Sequence, residues 1–389
     1  MKNQLQTHIQ AIQEKLWDMS DHLYHHPELG NEEYNSMKLL VEFLHSNDFV
    51  VQTGIVERET AFRAVFDSGK PGPTVAFLAE YDALPGVGHG CGHNMIATMG
   101  VGAGVTLSKV LDHTGGKVVV LGTPAEETNG AKVPMAEAGI FNDIDVAMMV
   151  HPSGVSAKSG ESLAMDAIQF TYQGKTSHAA ASPEEGINAL DSVIQLFNAI
   201  NALRQHVRSD VRIHGVITEG GVAANVVPDK ATAQFYVRAK DRSYLNEVVK
   251  KVKNIAHGAA AMTGATLEMS NYELSYDDMH TNEALSDLFT ENLYAAGETK
   301  VHPANASYGS IDMGNVSQVV PAIHPYIGLD QPDLIAHTTE FANKTITEKG
   351  HTVIARGALA LAMTGYDVIQ EKDKFETIKQ EFLNQQKIK

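Results

Sequence analysis

The chain has 389 residues, 43% of them hydrophobic and 20% charged, the balance of an ordinary globular protein. It exceeds the roughly 250–300 residues at which a single core stops growing, so two domains are expected. The formal net charge of -17 argues against nucleic acid or an anionic membrane as the main partner, since either needs a concentrated basic face. A small substrate remains open, because a local cationic pocket can sit in an acidic protein.

Cys91 is the sole cysteine, so no intrachain disulfide forms and a cytoplasmic location is expected. The opening residues, MKNQLQTHIQ, lack the apolar segment of a signal peptide, and no run of about 20 apolar residues suggests a membrane span.

Residues 4–18 predict an amphipathic helix, with Ile9, Ile12, Leu16 and Trp17 on its apolar stripe. A turn follows at His25 to Gly30, and helical rhythm resumes from Met37 to Leu44. Short strands are expected at 50–56 and 60–66, closed by a turn over 68–73. Three apolar runs come next, each ending in a polar cluster. Residues 74–79 lead to Glu80-Tyr81-Asp82 and then Gly88-His-Gly-Cys-Gly-His-Asn94. Residues 117–122 lead to Pro124-Ala-Glu-Glu127. Residues 145–150 lead to His151. Such runs suit strands buried on both faces, and a Gly- and Ala-rich helix is expected between them at 96–111. The pattern is open α/β, a central and mostly parallel sheet flanked by helices, in which ligands gather beyond the carboxyl ends of strands.

Near residue 163 the pattern changes. Strands are expected at 166–172, 211–218, 230–240 and 266–272, and helices at 185–204 and 244–263. This βαββαβ order describes a small ferredoxin-like α+β domain over 164–276. It is inserted in a larger domain made of 1–163 and 277–389, because α/β material resumes after about 280. There a helix is expected at 283–296, strand and loop at 301–312, an apolar helix at 351–365, and a polar, solvated helix with a frayed end at 375–389.

His89, Cys91 and His93 alternate with glycines 88, 90 and 92, which permit the backbone of a tight ligand-bearing loop. Thiolate and imidazole suit zinc and similar divalent ions. A buried cysteine beside two incidental histidines would give the same letters. Glu126 and Glu127 follow a buried run; one carboxylate could bind metal while the other handles a proton, and a solvated acidic turn is the plainer reading of the pair alone. His151 and His337 are weak signals singly. Together, four boundaries of apolar runs each supply a ligand-type residue, which points to a metal site. Thr176-Ser-His-Ala-Ala180 and Gly220-Gly-Val-Ala-Ala-Asn225 offer polar turns that can reach a pocket. Arg238 could pair with a substrate carboxylate through its planar fork or form a surface salt bridge.

The ordered set Pro27-Glu-Leu-Gly-Asn-Glu-Glu33, Glu80-Tyr-Asp-Ala-Leu-Pro85, Gly88–Asn94, Pro124–Thr128, Gly174–Ala180, Gly220–Asp229, Ser310–Ser317 and His337–Phe341 resembles the M20 metallopeptidase and amidohydrolase family. The nearest branch is the aminoacylase-like one, with its aminobenzoyl-glutamate hydrolase and dipeptidase types. The resemblance implies a homodimer and a catalytic domain with two divalent metal ions, zinc foremost and manganese, cobalt or nickel as alternatives. It implies an inserted domain for dimerisation that also closes over substrate. Carried over by motif, Cys91 would bridge the ions, with His93, Glu127, His151 and His337 as further ligands and Glu126 as general base. His178 would bind substrate or stabilise the oxyanion. Asn225, Arg238 and Ser310 would recognise substrate. Asn94 departs from the Asp that many relatives carry after Cys-Gly-His, so any role of that Asp in orienting a ligand histidine is weaker here or filled by another group.

The implied reaction is hydrolysis of an amide in a small carboxylate-bearing substrate: a dipeptide, an N-acyl amino acid or an aminobenzoyl-glutamate. Metal-activated water attacks, and Glu126 takes its proton and passes it to the leaving nitrogen. Two rivals are a hydrolase with Cys91 as nucleophile and a non-catalytic peptide- or metabolite-binding protein of the same fold.

Overall fold

A computed structural model describes residues 1–304 and 309–388. The strands are β1 (Val50–Thr53), β2 (Phe62–Asp67), β3 (Thr74–Ala79), β4 (Lys117–Gly122), β5 (Val146–Met148), β6 (His151–Ser153), β7 (Ala164–Gln173), β8 (Arg212–Glu219), β9 (Lys230–Ala239), β10 (Thr266–Asn271), β11 (Ala322–Ile323) and β12 (Tyr326–Gly328). The chain divides into two compact units. One comprises Met1–Glu161 and most of the chain from Met279 onward; the other comprises Ser162–Asp278 and a short later segment that includes Gly309 and Ile311.

The first unit is built on a six-stranded sheet of order β1-β2-β4-β3-β5-β11. The β4-β3-β5-β11 part is parallel, and β1 and β2 add an antiparallel edge. Every residue of β3 is buried, as a central strand covered on both faces must be. The helix His93–Ser108 is buried along its whole length, and the apolar helix Glu348–Gln370 packs against it. That second helix is long and apolar enough to cross a membrane, but 72% of its apolar window is buried inside the fold, the mark of a core helix. Small residues let the first helix sit close to the sheet. A Cβ on Gly104 would fall 2.4 Å from Val120 Cγ2 of β4.

The second unit is a four-stranded antiparallel sheet of order β10-β7-β9-β8 with two helices, Ala189–Leu203 and Arg242–Thr263, giving the βαββαβ order. Its core is separate, built on Ile168, Phe170, Leu196, Phe235, Leu245 and Val248 among others.

Several boundaries differ from expectation for local reasons. The first helix runs from Lys2 to His25, because buried Met19 and Leu23 continue its apolar face past residue 18. The strand expected over 50–56 stops at Thr53, where left-handed Gly54 turns the chain into a short 3-10 segment. The helix expected from 185 begins at Ala189, where the Asn188 side chain accepts the Leu190 and Asp191 N–H groups. The run ending in His151 is split. β5 stops at Met148, and His151 opens β6, which pairs with β12 in its own two-stranded ladder. Among the described residues of 301–312 there is no strand, and a short helix, Met313–Ser317, follows; residues 305–308 of that expectation lie outside the described residues. The tail is helical from Lys372 to Ile388.

The tight seam at Gly104 yields a stability prediction. Gly104→Ala gains up to about 1 kcal/mol of helix propensity, yet its methyl must displace a buried β-branched side chain. The net effect expected is a loss of about 1–3 kcal/mol in unfolding free energy. Denaturant melts would measure it, and an unchanged midpoint would show that the seam has slack.

Candidate metal centre

Four segments of the first unit deliver ligand-type side chains to one place. Beyond β3, the loop Gly88–Gly92 carries Cys91 and ends at His93, the first residue of its helix. Beyond β4, left-handed Ala125 (φ 64°) turns the chain into the short helix Glu126–Asn129. Beyond β5 comes His151. The fourth segment carries His337, itself left-handed at φ 65°, whose N–H donates to the Gly90 carbonyl at 2.8 Å. Glycine is required at 90, because a Cβ there would lie 3.3 Å from the His337 Cα and 2.6 Å from Val87 Cγ1.

Ligand atoms of three overlapping groups lie within 4.8 Å of one another: Cys91, His93 and His151; Cys91, Glu127 and His337; and His93, Glu126 and Glu127. Cys91 is common to two of them. Cys91 Sγ is 3.4 Å from His151 Nε2, and Glu127 Oε1 is 3.4 Å from His337 Nε2 and 3.9 Å from His93 Nε2. His89 lies outside these groups, and burial pulls its pKa down to about 3.

Do these residues fit a cation? His93 Nε2 and Glu127 Oε1 are buried and have no hydrogen-bond partner among the described residues. Orphaned polar atoms of this kind are costly in a folded protein. Both belong to the groups above, and a divalent ion satisfies both. The orientation of the rings agrees. His93 Nδ1 is held by the Asp82 carboxylate at 2.9 Å and His151 Nδ1 by the Pro152 carbonyl at 2.7 Å, leaving Nε2 of each ring for a metal. Thiol, imidazole and carboxylate donors around a shared cysteine form candidate metal clusters consistent with a two-ion site.

The surrounding charges explain the proton affinities. Burial alone would lower the His93 pKa, but Asp82 holds it well above its ordinary value. Burial, with His324 beside it, pulls His151 down to about 3, so this ring is neutral. Burial pushes the Cys91 thiol far up, although His93 opposes it; a cation is what would ionise this sulfur. Burial and then the carboxylates of Glu80, Asp312 and Glu127 drive Glu126 well above the usual carboxylate range.

Sequence reading missed the groups that support this centre. Lys132 is completely buried, and its ammonium bonds Glu80 Oε1 and Asp312 Oδ1, each at 2.7 Å. Nothing in the local pattern around Lys132 signals this. Asp82 lies in the Glu80-Tyr-Asp stretch that follows β3, and besides His93 it accepts the Glu127 N–H at 3.0 Å. It is the group that orients a ligand histidine where Asn94 does not. Asn94 instead donates to Ser20 Oγ (2.9 Å) and Thr345 Oγ1 (3.0 Å), tying helices together. His324, which follows β11, is buried with its ring 5.4 Å from that of His151.

The remaining expected site residues belong to the second unit. His178 and Asn225 sit in paired loops: His178 bridges Val226, and the Ala179 N–H donates to the Asn225 carbonyl at 3.0 Å. His178 Nδ1 accepts the N–H groups of Ala180 (3.2 Å) and Ala181 (3.1 Å). Arg238 is half-buried on β9 with its guanidinium 5.5 Å from the Tyr236 ring centre. Ser310 Oγ is buried without a hydrogen-bond partner among the described residues.

Comparisons with known proteins give the family of the chain. A model of the peptidase dimerisation domain of the M20 family matches residues 165–264. The chain is 36% identical over 397 aligned positions to the Xaa-Arg dipeptidase of Mus musculus, covering 98% of this chain and 92% of the relative. It is 34% identical to one of the p-aminobenzoyl-glutamate hydrolase polypeptides of Escherichia coli, covering 67% of this chain and 58% of the relative. In structure it resembles an aminobenzoyl-glutamate utilization protein from Klebsiella pneumoniae, with a TM-score of 0.75, 21% identity and coverage of 94% and 98%. It also resembles a dinuclear metal-binding peptidase of the M20 family from Bacillus subtilis, with a TM-score of 0.66, 20% identity and coverage of 92% and 99%. The chain therefore belongs to the M20 family of metallopeptidases and amidohydrolases, in the aminoacylase-like branch that includes the aminobenzoyl-glutamate hydrolase homologues. It is a metal-dependent amide hydrolase.

One buried acid near the centre gives a pH prediction. Burial pushes Glu33 from 4.5 up to about 7. A carboxyl with a raised folded pKa contributes fully below its unfolded value, and that contribution is lost as the pH rises through the folded value. Wild-type stability therefore loses on the order of 3 kcal/mol from this group between about pH 4.5 and 7. Glu33→Gln removes the effect, so the variant should gain on the wild type across that window in denaturant melts. A difference that stays flat with pH would refute it.

Proposed function

We propose that the chain hydrolyses the amide bond of dipeptides or related N-acyl amino acids, with Glu126 as general base. The observation that carries this is the convergence of Cys91, His93, Glu127, His151 and His337 beside Glu126, with His93 Nε2 and Glu127 Oε1 orphaned. Those five residues would hold two divalent ions, and Cys91 belongs to two of the three candidate groups. When bound, the ions would polarise the scissile carbonyl and make water acidic enough to react near neutral pH.

The chain's own residues do the rest. Glu126, beside the ligand-type groups, takes a proton from the attacking water and returns it to the leaving nitrogen. Asp82 fixes the His93 ring through Nδ1 and the start of the Glu126–Asn129 helix through the Glu127 N–H. In the neutral His178 ring, two backbone N–H groups at Nδ1 put the proton on Nε2, which suits it to donate a hydrogen bond to the substrate's carbonyl oxygen as negative charge grows there. Arg238, Asn225 and Ser310 are assigned to the substrate's carboxylate end.

Near full-length similarity to an Xaa-Arg dipeptidase puts dipeptides with a basic C-terminal residue at the head of the substrate panel. A net charge of -17 favours encounter with cationic substrates. The single cysteine supports a cytoplasmic location. The Cys91 nucleophile reading is disfavoured, because Cys91 is shared by two groups of metal-ligand type and burial drives its thiol away from ionisation.

Purified protein loaded with zinc or manganese, beside a metal-stripped control, should release amino acid from one class among dipeptides, N-acetyl amino acids and aminobenzoyl-glutamate. Glu126→Gln should keep two ions per chain by elemental analysis while kcat falls about 10²–10⁴-fold. Full turnover in that variant would remove Glu126 from its role.

We further propose a homodimer formed through the second unit. Its β8 is a sheet edge, paired with β9 alone and exposing Val216 and Ile217. An open apolar edge is a template for another strand. Val216→Lys should shift the protein toward monomer in sedimentation; an unaltered dimer would put the contact elsewhere.

A further inference from the structure

The loop Pro27–Glu33 takes no part in the chemistry assigned above, yet it carries a buried carboxylate with an unusual task. Glu33 is fully buried, and among the described residues it forms no ion pair. Its oxygens are nonetheless used. Oε1 accepts the Ala125 N–H at 2.9 Å, and Oε2 accepts the Thr60 hydroxyl at 2.9 Å. The Thr60 carbonyl in turn accepts the hydroxyl of buried Tyr81 at 2.5 Å.

Ala125 is the residue that matters. It precedes Glu126 directly and holds a left-handed conformation that alanine rarely adopts. A residue in such a conformation persists only when its surroundings over-determine it. The same loop supplies a second restraint. Gly30 lies flush on this turn: a Cβ there would sit 3.0 Å from the Ala125 Cβ and 2.8 Å from Thr128 Oγ1. It also braces the segment carrying Glu80 and Asp82, since the Ala83 N–H donates to the Glu28 carbonyl at 2.9 Å and Leu29 bridges Ala83. A neutral acceptor would satisfy the Ala125 N–H without burying a charge. Protonated or ionised, Glu33 keeps an oxygen that can accept this N–H, and the ionised form makes the charge-assisted bond.

We propose that Glu33 is a positioning residue for Glu126, holding the Ala125 peptide in the left-handed turn that sets the direction in which the base leaves the sheet. This rests on the reading of Glu126 as the base.

The test uses the metal-loaded full chain. In Glu33→Ala, kcat should fall about 10²-fold, the scale of a displaced catalytic group, with KM within about twofold and two ions still bound. Amide hydrogen exchange in the peptide containing Ala125 should accelerate. Glu33→Gln keeps an acceptor and should recover most of kcat. If Glu33→Ala does not fold, Glu33→Asp keeps the charge but shortens the reach, and carries the same expectation. Full kcat in a folded Glu33→Ala, ions lost in step with kcat, or Glu33→Gln as impaired as Glu33→Ala would each overturn the proposal. So would unchanged exchange at Ala125. If Glu126→Gln keeps full turnover, the base assignment falls separately, and the exchange measurement still decides whether Glu33 holds the Ala125 turn.

Discussion

Five carboxylates are crowded behind one end of the first unit's sheet, and positive charge must hold them there. Glu80, Asp82 and Asp312 are essentially removed from water, and Glu126 and Glu127 are partly so. Without compensation such a group repels itself and stays protonated. Lys132 answers part of the problem by bonding Glu80 and Asp312 at once, and His93 answers another part by bonding Asp82. Glu126 and Glu127 face the other ligand-type groups, where divalent cations would add positive charge. The architecture follows from this requirement, because only a rigid scaffold can keep like charges this close.

The scaffold is the parallel part of the sheet. Strands β3, β4 and β5 end side by side, so the segments leaving them converge, and β3 is covered on both faces so that it does not shift. At the same end Ala125 and His337 are left-handed, and Gly90 admits the His337 backbone. The supporting hydrogen bonds run to backbone as much as to side chains. Asp82 grips the Glu127 N–H as well as His93, and Glu33 grips the Ala125 N–H. Rigid placement of the carboxylate pair is thus shared by two acids, neither of which belongs to the ligand groups.

Much of this was legible in the sequence. Buried strands announced themselves as apolar runs, and the ligand-type residues stood at their ends. The change to βαββαβ order marked a second compact body, which the structure delimits as Ser162–Asp278 with a later short segment. Element ends were less legible. The halt of β5 at Met148 and the start of β6 at His151 depend on pairing with β11 and β12, strands far along the chain. Asn94 shows the same limit: the sequence marked it only as a departure from an Asp, while its partners Ser20 and Thr345 give it a place between helices.

The sequence by itself determined the fold class, the βαββαβ order of the second unit and which residue types stand at the strand ends, because hydrophobic periodicity and strand-end position are local properties written in consecutive residues. Tertiary structure alone decided that Lys132 would be the buried counter-charge, that Asp82 rather than Asn94 would orient His93, and that Glu33 would accept the N–H of the turn before Glu126. Each of these depends on burial and on a partner distant in the chain. A lysine or glutamate carries no mark of its own desolvation; only the packed fold sets the cost of its charge and the group that offsets it.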